Sequence, residues 1–193
     1  HAPIPPAELT WKTSAFQLDQ KTIEAYEGES ILNAARRHGV AIPHLCYKDG
    51  YRADGNCRAC VVEIKGERTL APSCCRSATV GMEVQANSER AIKSQKMVLE
   101  MLLSDMPDVG YKWNDADVVT GDTGQHGELS DWASRMNVTV RPALKVLRRA
   151  QPKSDMSHPA MAVNLDACIQ CNRCVRACRE EQASPYTHFP LPT

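Results

Sequence analysis

Apolar and polar residues alternate along Ala15-Phe16-Gln17-Leu18-Asp19, the period of a strand with one buried face. A second short strand is expected over residues 21–26. The period then changes. Ile31, Leu32, Ala34 and Ala35 share a helical face, with Ser30 placed to cap that helix. Gly39 stands where a left-handed residue ends a helix, and Pro43 prevents continuation. Residues 59–65 are again β-rich, Lys65-Gly66-Glu67 reads as a turn, and residues 82–85 predict another strand. Residues 12–86 thus predict one compact α+β unit.

The clearest helical pattern covers residues 87–104. Asn87 or Ser88 suits the cap, and Glu89 suits the positive end of the helix dipole. Ile92, Leu99, Leu103 and Met106 fall on one face, with Val98 and Leu102 beside them. Residues 105–126 are acidic and aperiodic and read as a long loop. Residues 128–136 predict a short helix, and residues 141–149 form a basic segment, helical after Pro142. Arg141, Lys145, Arg148, Arg149 and Lys153 read as a solvated helix face, with docking of an acidic partner as the alternative. Residues 183–193 hold Pro185, Pro190 and Pro192 and show no packing pattern. No repeat is present.

The chain has 193 residues, room for one ordinary domain or two to three small ones. Its 23 basic and 23 acidic residues cancel, which removes the electrostatic case for nucleic acid or an anionic membrane surface. No apolar run approaches the ~18–20 residues that span a bilayer, so a soluble segment without membrane insertion is expected. No signal peptide is evident. The chain opens at His1 rather than Met, which predicts that the first residues of the gene product are missing and that residues 1–11 are a flexible leader. Two Phe, three Trp and five Tyr allow only small cores, which metal centres help to hold together.

The nine cysteines decide the chemistry. They form two groups: Cys46, Cys57, Cys60, Cys74 and Cys75, then Cys168, Cys171, Cys174 and Cys178. An odd count with C-x2-C pairs argues for metal ligation in a reducing compartment, here the cytoplasm, rather than a secreted disulfide framework. Cys46-x10-Cys57-x2-Cys60-x13-Cys74 has the form of a 2Fe-2S site. Two irons bridged by sulfide need four thiolates, two per iron. Gly50, Gly55 and Asn56 let the backbone fold closely round such a cluster and aim N–H groups at its sulfurs. A thioredoxin-like Cys57/Cys60 pair is the first rival, but this pair does not open a helix in a βαβ unit. A zinc site on the same thiolates is the second, disfavoured by the long first loop.

Gly28-Glu29-Ser30-Ile31-Leu32, Ala34-Ala35, Gly39, Ile42-Pro43-His44-Leu45-Cys46, Gly55-Asn56-Cys57-Arg58-Ala59-Cys60-Val61-Val62-Glu63 and Gly81-Met82 make one long pattern. It closely resembles the amino-terminal ferredoxin module of complex I large subunits, iron-only hydrogenases and NAD-dependent formate dehydrogenase α subunits. The resemblance implies a β-grasp ferredoxin fold over residues 12–86. It also implies that Cys74, rather than Cys75, is the fourth ligand. In the family the last ligand stands seven residues before the Gly of the Gly-Met pair, and counting back seven from Gly81 gives Cys74. Cys75 is then expected to be a buried small residue.

In these relatives the following helix leads into a His-x3-Cys-x2-Cys-x5-Cys site for a 4Fe-4S cluster. The flanks Leu102-Leu103-Ser104-Asp105 and Gly127-Glu128-Leu129 are recognisable, but Met106 occupies the place of the His. No cysteine occurs between Cys75 and Cys168, and His126 stands alone. Residues 87–150 are therefore expected to be a helical region with a degenerate site and no cluster.

Cys168-Ile169-Gln170-Cys171-Asn172-Arg173-Cys174-Val175-Arg176-Ala177-Cys178 is C-x2-C-x2-C-x3-C. In bacterial ferredoxins three such thiolates wrap one 4Fe-4S cube and the fourth ligates another cluster. Zinc is again the plain rival. The usual Pro after the last Cys is Arg179 here, and no cysteine follows Cys178, so the distant fourth ligand is absent from the chain. Either this is the amino-terminal piece of a longer polypeptide, or Cys178 or an external ligand completes the cube, which would then be labile. Residues 151–193 are read as a partial bacterial-ferredoxin-like 4Fe-4S domain with a Pro-rich tail.

Residues 138–182 and Leu70-Ala71-Pro72-Ser73-Cys74-Cys75-Arg76 look most like formate dehydrogenase α subunits among these relatives. That resemblance implies intramolecular electron transfer in a complex that oxidises formate at a molybdenum or tungsten pterin centre outside this segment. FMN and NAD would sit on a diaphorase-type partner subunit. No catalytic residue is expected here; the segment orients and tunes cofactors. The alternatives are an electron-transfer subunit of an NAD-reducing hydrogenase, a complex I-type large subunit, or a non-catalytic docking subunit that keeps only the 2Fe-2S cluster.

Overall fold

A computed structural model describes residues 12–106, 127–150 and 153–181. The leader, most of the acidic loop with His126, and the Pro-rich tail lie outside the described residues. The chain divides into two compact units: His1–Ile42 with Val61–Ala91, and Pro43–Cys60 with Ile92–Thr193.

The first unit is a mixed five-stranded sheet with one helix. Strands β1 (Thr13–Leu18) and β2 (Lys21–Tyr26) pair antiparallel, with Leu18 opposite Lys21. Only Asp19 and Gln20 lie between them, at φ 48° and 70°. Both are left-handed, as a two-residue hairpin loop requires. The Asp19 carboxylate accepts the N–H groups of Ala86 at 2.7 Å and Asn87 at 3.2 Å. Helix α1 (Ile31–Arg37) starts at Ser30, whose Oγ accepts the Asn33 N–H at 3.2 Å. It ends at Gly39 (φ 74°), where Gly39 N–H donates to Arg36 O and Val40 N–H to Ala35 O, the paired bonds of a Schellman cap.

Strands β3 (Val61–Ile64), β4 (Ala71–Pro72) and β5 (Glu83–Gln85) complete the sheet in the order β2-β1-β5-β3-β4. The β1–β5 pair is parallel and the other pairs are antiparallel. Phe16, Leu18, Ile31, Leu32, Val62 and Val84 are fully buried and form its core. The α1 N–H groups of Ile31 and Leu32 donate to Arg76 O at 2.8 Å and Ser73 O at 3.0 Å. Donors that a helix start leaves orphaned thus hold the 73–76 turn, which carries Cys74. The two-residue β4 is the strand that periodicity does not show, since two residues carry no period.

Helix α2 (Glu89–Ser104) runs from the first unit into the second. Its Ser88 cap is as expected, with Ser88 Oγ accepting the Ala91 N–H at 3.2 Å. The second unit continues with α3 (Glu128–Arg135), α4 (Pro142–Lys145), the hairpin β6 (Ser154–His158) and β7 (Met161–Asn164), a 3-10 turn (Leu165–Ala167) and α5 (Arg173–Glu181). Its core gathers Leu45, Ala59, Leu99, Met106 and Leu129, with Cys57, Trp132 and Ile169 packed against them. Of the basic residues expected to face solvent, Arg141, Lys145 and Lys153 are exposed, while Arg148 and Arg149 are half-buried. Helix α4 has four residues, and the exposed Arg141 guanidinium lies along the surface, donating from Nε to Glu100 Oε1 at 2.8 Å and from Nη2 to Oε2 at 3.0 Å. A bidentate carboxylate captures a guanidinium more firmly than water does. Among the described residues no helix is long and apolar enough to cross a membrane.

Candidate metal centre

Pro43–Cys60 is an irregular loop that turns at Gly50 (φ 88°), Gly55 (φ 61°) and Arg58 (φ 60°). A left-handed Arg costs roughly 1–2 kcal/mol, a local strain of the kind that gathers at functional sites. The loop buries Cys46 and Cys60 and leaves Cys57 half-buried. The Cys57 N–H points at Cys46 Sγ, 3.4 Å away. The Cys46 thiol hydrogen-bonded to Cys57, and then burial, push the Cys57 thiol far above its ordinary range. A buried and a half-buried thiol side by side resist ionising together, and a cation removes that penalty by taking the place of the protons. Paired sulfurs, one buried and one half-buried, with an N–H aimed at one of them are a donor set that fits iron.

Cys74 lies in the first unit and is buried. Its Sγ stands 3.6 Å from that of Cys75. The expectation for Cys75 was wrong, since Cys75 is exposed. The turn explains this. Cys75 and Arg76 N–H both donate to Pro72 O, at 3.0 and 3.1 Å, so the chain reverses while Ser73 and Cys74 face inward. Among the described residues no three His, Cys, Asp or Glu side chains gather as they would about a single ion. A 2Fe-2S cluster asks for two thiolates at each of two irons.

In the second motif Cys168 and Cys171 are half-buried, and Cys174 and Cys178 are exposed. The latter two share one face of α5, four residues apart. Gln170 (φ 55°) and Asn172 (φ 60°) flank Cys171 in left-handed conformations, and Gln170 N–H points at Cys168 Sγ, 3.4 Å away. Asn164 Oδ1 caps the preceding 3-10 turn through Asp166 and Ala167 N–H. Arg149 Nη2 donates to Cys168 O at 2.8 Å and to Leu165 O and Asp166 O at 3.2 Å.

The two cysteine loops of the second unit adjoin. Asn56 Nδ2 donates to Gln170 O at 3.1 Å, and Cys57 and Ile169 pack on the same apolar core. Helix α5 reaches across with two guanidinium groups. Arg173 Nη2 donates to Tyr47 O at 2.7 Å. Arg176, itself 1% exposed, donates to Arg52 O at 2.7 Å and to Cys46 O, and its Nε lies 3.5 Å from Asp54 Oδ2. Sequence reasoning missed the roles of Arg173 and Arg176, and Arg149, expected on a solvated face, binds carbonyls instead. For Arg173 and Arg176 the one signal was position, inside the second cysteine motif. Met106, in the place of the family's His, is buried in the apolar core with Leu129.

A profile described as a 2Fe-2S iron-sulfur cluster binding domain matches residues 12–89. NADP-reducing hydrogenase subunit HndD of Solidesulfovibrio fructosivorans is 34% identical over 86% of this chain and 27% of its own length. The mitochondrial NADH-ubiquinone oxidoreductase 78 kDa subunit of Candida albicans is 30% identical over 87% of this chain and 22% of its own. The chain thus spans about a fifth to a quarter of these curated relatives. Among solved structures, a crystal structure of NAD+-reducing [NiFe]-hydrogenase in the H2-reduced state superposes with a TM-score of 0.69. It is 29% identical and is matched over 87% of this chain and 67% of that one. The chain therefore carries a 2Fe-2S domain and is homologous to subunits of oxidoreductase complexes.

Proposed function

We propose that this chain relays single electrons between two iron–sulfur clusters inside an NAD-linked oxidoreductase complex. Cys46, Cys57, Cys60 and Cys74 hold the 2Fe-2S cluster of a β-grasp ferredoxin domain. Cys168, Cys171 and Cys174 hold a 4Fe-4S cube, with Cys178 or a ligand from outside the chain in the fourth place. When bound, the clusters supply one-electron acceptance and release. The protein's own part is to bury Cys46, Cys60 and Cys74, aim N–H groups at Cys46 and Cys168 and keep the two loops in register. The observation that carries this reading is the meeting of the loops, with Asn56 bonded to the carbonyl of Gln170 between Cys168 and Cys171. No side chain is needed for bond-making or proton transfer.

Within that class we place the chain in an NAD-dependent formate dehydrogenase of the cytoplasm. A molybdenum or tungsten pterin unit and a flavin- and NAD-binding subunit would be its partners. The support is the resemblance of residues 70–76 and 138–182 to the α subunits of those enzymes. A second reading, the electron-transfer subunit of an NAD-reducing hydrogenase, is favoured by the likeness to the [NiFe]-hydrogenase chain.

Iron and sulfide analysis of anaerobically purified full chain tests the relay. About six irons per chain are expected, whereas about two would leave a docking subunit with the 2Fe-2S cluster alone. Affinity purification from the native host with metal analysis separates the two complexes. Molybdenum or tungsten co-purifying supports formate dehydrogenase, and nickel without either replaces it by hydrogenase.

A further inference from the structure

We infer that Arg176 is a positioning residue for the first cluster, acting from the helix of the second cysteine motif to set the 2Fe-2S reduction potential. The inference rests on the assignment of Cys46 as a ligand. Three observations carry it. Arg176 is a guanidinium with 1% exposure, the most deeply buried cation among the described residues. It binds the carbonyls of Cys46 and Arg52 together, pinning both ends of residues 46–52. The counter-charge beside it is Asp54, whose carboxylate is 3.5 Å from Nε and also 3.7 Å from the exposed Arg52 guanidinium.

The physics has a definite sign. Reduction adds one electron to the cluster and neither makes nor breaks a bond. A buried positive charge one carbonyl away from a ligand favours the added negative charge, because low-dielectric surroundings screen it weakly. Polar and charged groups around the ligands are among the protein's levers on cluster potential. Arg176 therefore raises the potential, and Asp54 offsets part of that rise. The arrangement also makes the two motifs interdependent, since the cation that tunes the first site is fixed between Cys174 and Cys178 of the second.

The test is a dithionite titration of the full chain, following the axial low-temperature resonance of the reduced 2Fe-2S cluster. Arg176→Met is expected to lower the reduced-to-oxidised ratio at fixed potential about tenfold, a midpoint shift of about 59 mV to the negative side. Arg176→Lys keeps the charge and should recover most of that shift. Asp54→Asn should move the midpoint in the opposite, positive direction. If Arg176→Met does not assemble, Asp54→Asn and Arg176→Lys still decide the matter. A midpoint unmoved in Asp54→Asn, or shifts of one sign in all three variants, would overturn the inference. In the cluster-free chain, amide exchange at residues 46–52 should be at least tenfold faster in Arg176→Met, and unchanged exchange would overturn the positioning role. Absence of any 2Fe-2S resonance in the unaltered chain would instead sink the ligand assignment, and this inference with it.

Discussion

Leu99→Ala should destabilise the second unit more than any other single truncation of α2. Leu99 is fully buried at the centre of the core formed with Leu45, Ala59, Met106 and Leu129. The change removes three carbons, about 0.8 kcal/mol each in lost transfer free energy. Leu45 and Ala59 belong to the cysteine loop and the other neighbours to its supports, so the site collapses poorly and a cavity term adds to this. The expected loss is about 3–4 kcal/mol, inside the range for buried Leu→Ala changes. With a urea slope of about 2 kcal/mol/M, the midpoint falls by about 1.5–2 M. Urea unfolding of the full chain, followed by fluorescence of Trp132 in that core, measures it. Leu147→Ala, at a position 76% exposed, is the control and should stay within about 0.5 kcal/mol. A loss below about 1 kcal/mol at Leu99, well under the range for such truncations, would refute the claim that this core supports the Cys46 and Cys57 loop.

Three further outcomes are expected. Cys57→Ser should abolish the axial resonance of the reduced 2Fe-2S centre, and an unchanged spectrum would remove Cys57 from the ligand set. Gly39→Ala should cost about 1 kcal/mol in thermal or urea unfolding, because an added Cβ meets open space and only the left-handed backbone resists it. The Arg141 hydrogen bonds hold Glu100 below its ordinary pKa of 4.5. The stability this adds is fully present above pH 4.5 and is lost as pH falls through the lower folded value. Glu100→Gln should therefore be less stable than the unaltered chain at pH 7 and converge on it under acid. A gap that persists at low pH would argue against the charge-assisted bond.

The first unit was readable because its signals are local. Alternation gave β1, the Ser30 hydroxyl just ahead of Ile31 gave the start of α1, and Gly39 gave its end. The helices near residues 89–104 and 128–135 followed from period and caps. Three things were not readable. Strand β6 buries no residue, so no alternation announces the β6–β7 hairpin. The resemblance picks Cys74 over Cys75, but the exposure of Cys75 follows from the Pro72 turn, which nothing local announces. The guanidinium groups of Arg149, Arg173 and Arg176 bind backbone carbonyls, and a carbonyl leaves no mark in sequence. A basic residue that ends as a clamp reads the same as one that ends in water. The cysteine spacing located both motifs, but that their loops adjoin is tertiary information.

Met106 has a consequence for how this polypeptide comes into being. At the position where the resemblance implies a histidine in related chains, a thioether here packs with Leu45, Leu99 and Leu129. The core that Met106 shares with Leu99, Leu129 and the loop residues Leu45 and Ala59 is apolar packing, so its assembly should not depend on added iron, which urea unfolding of the cluster-free chain measures.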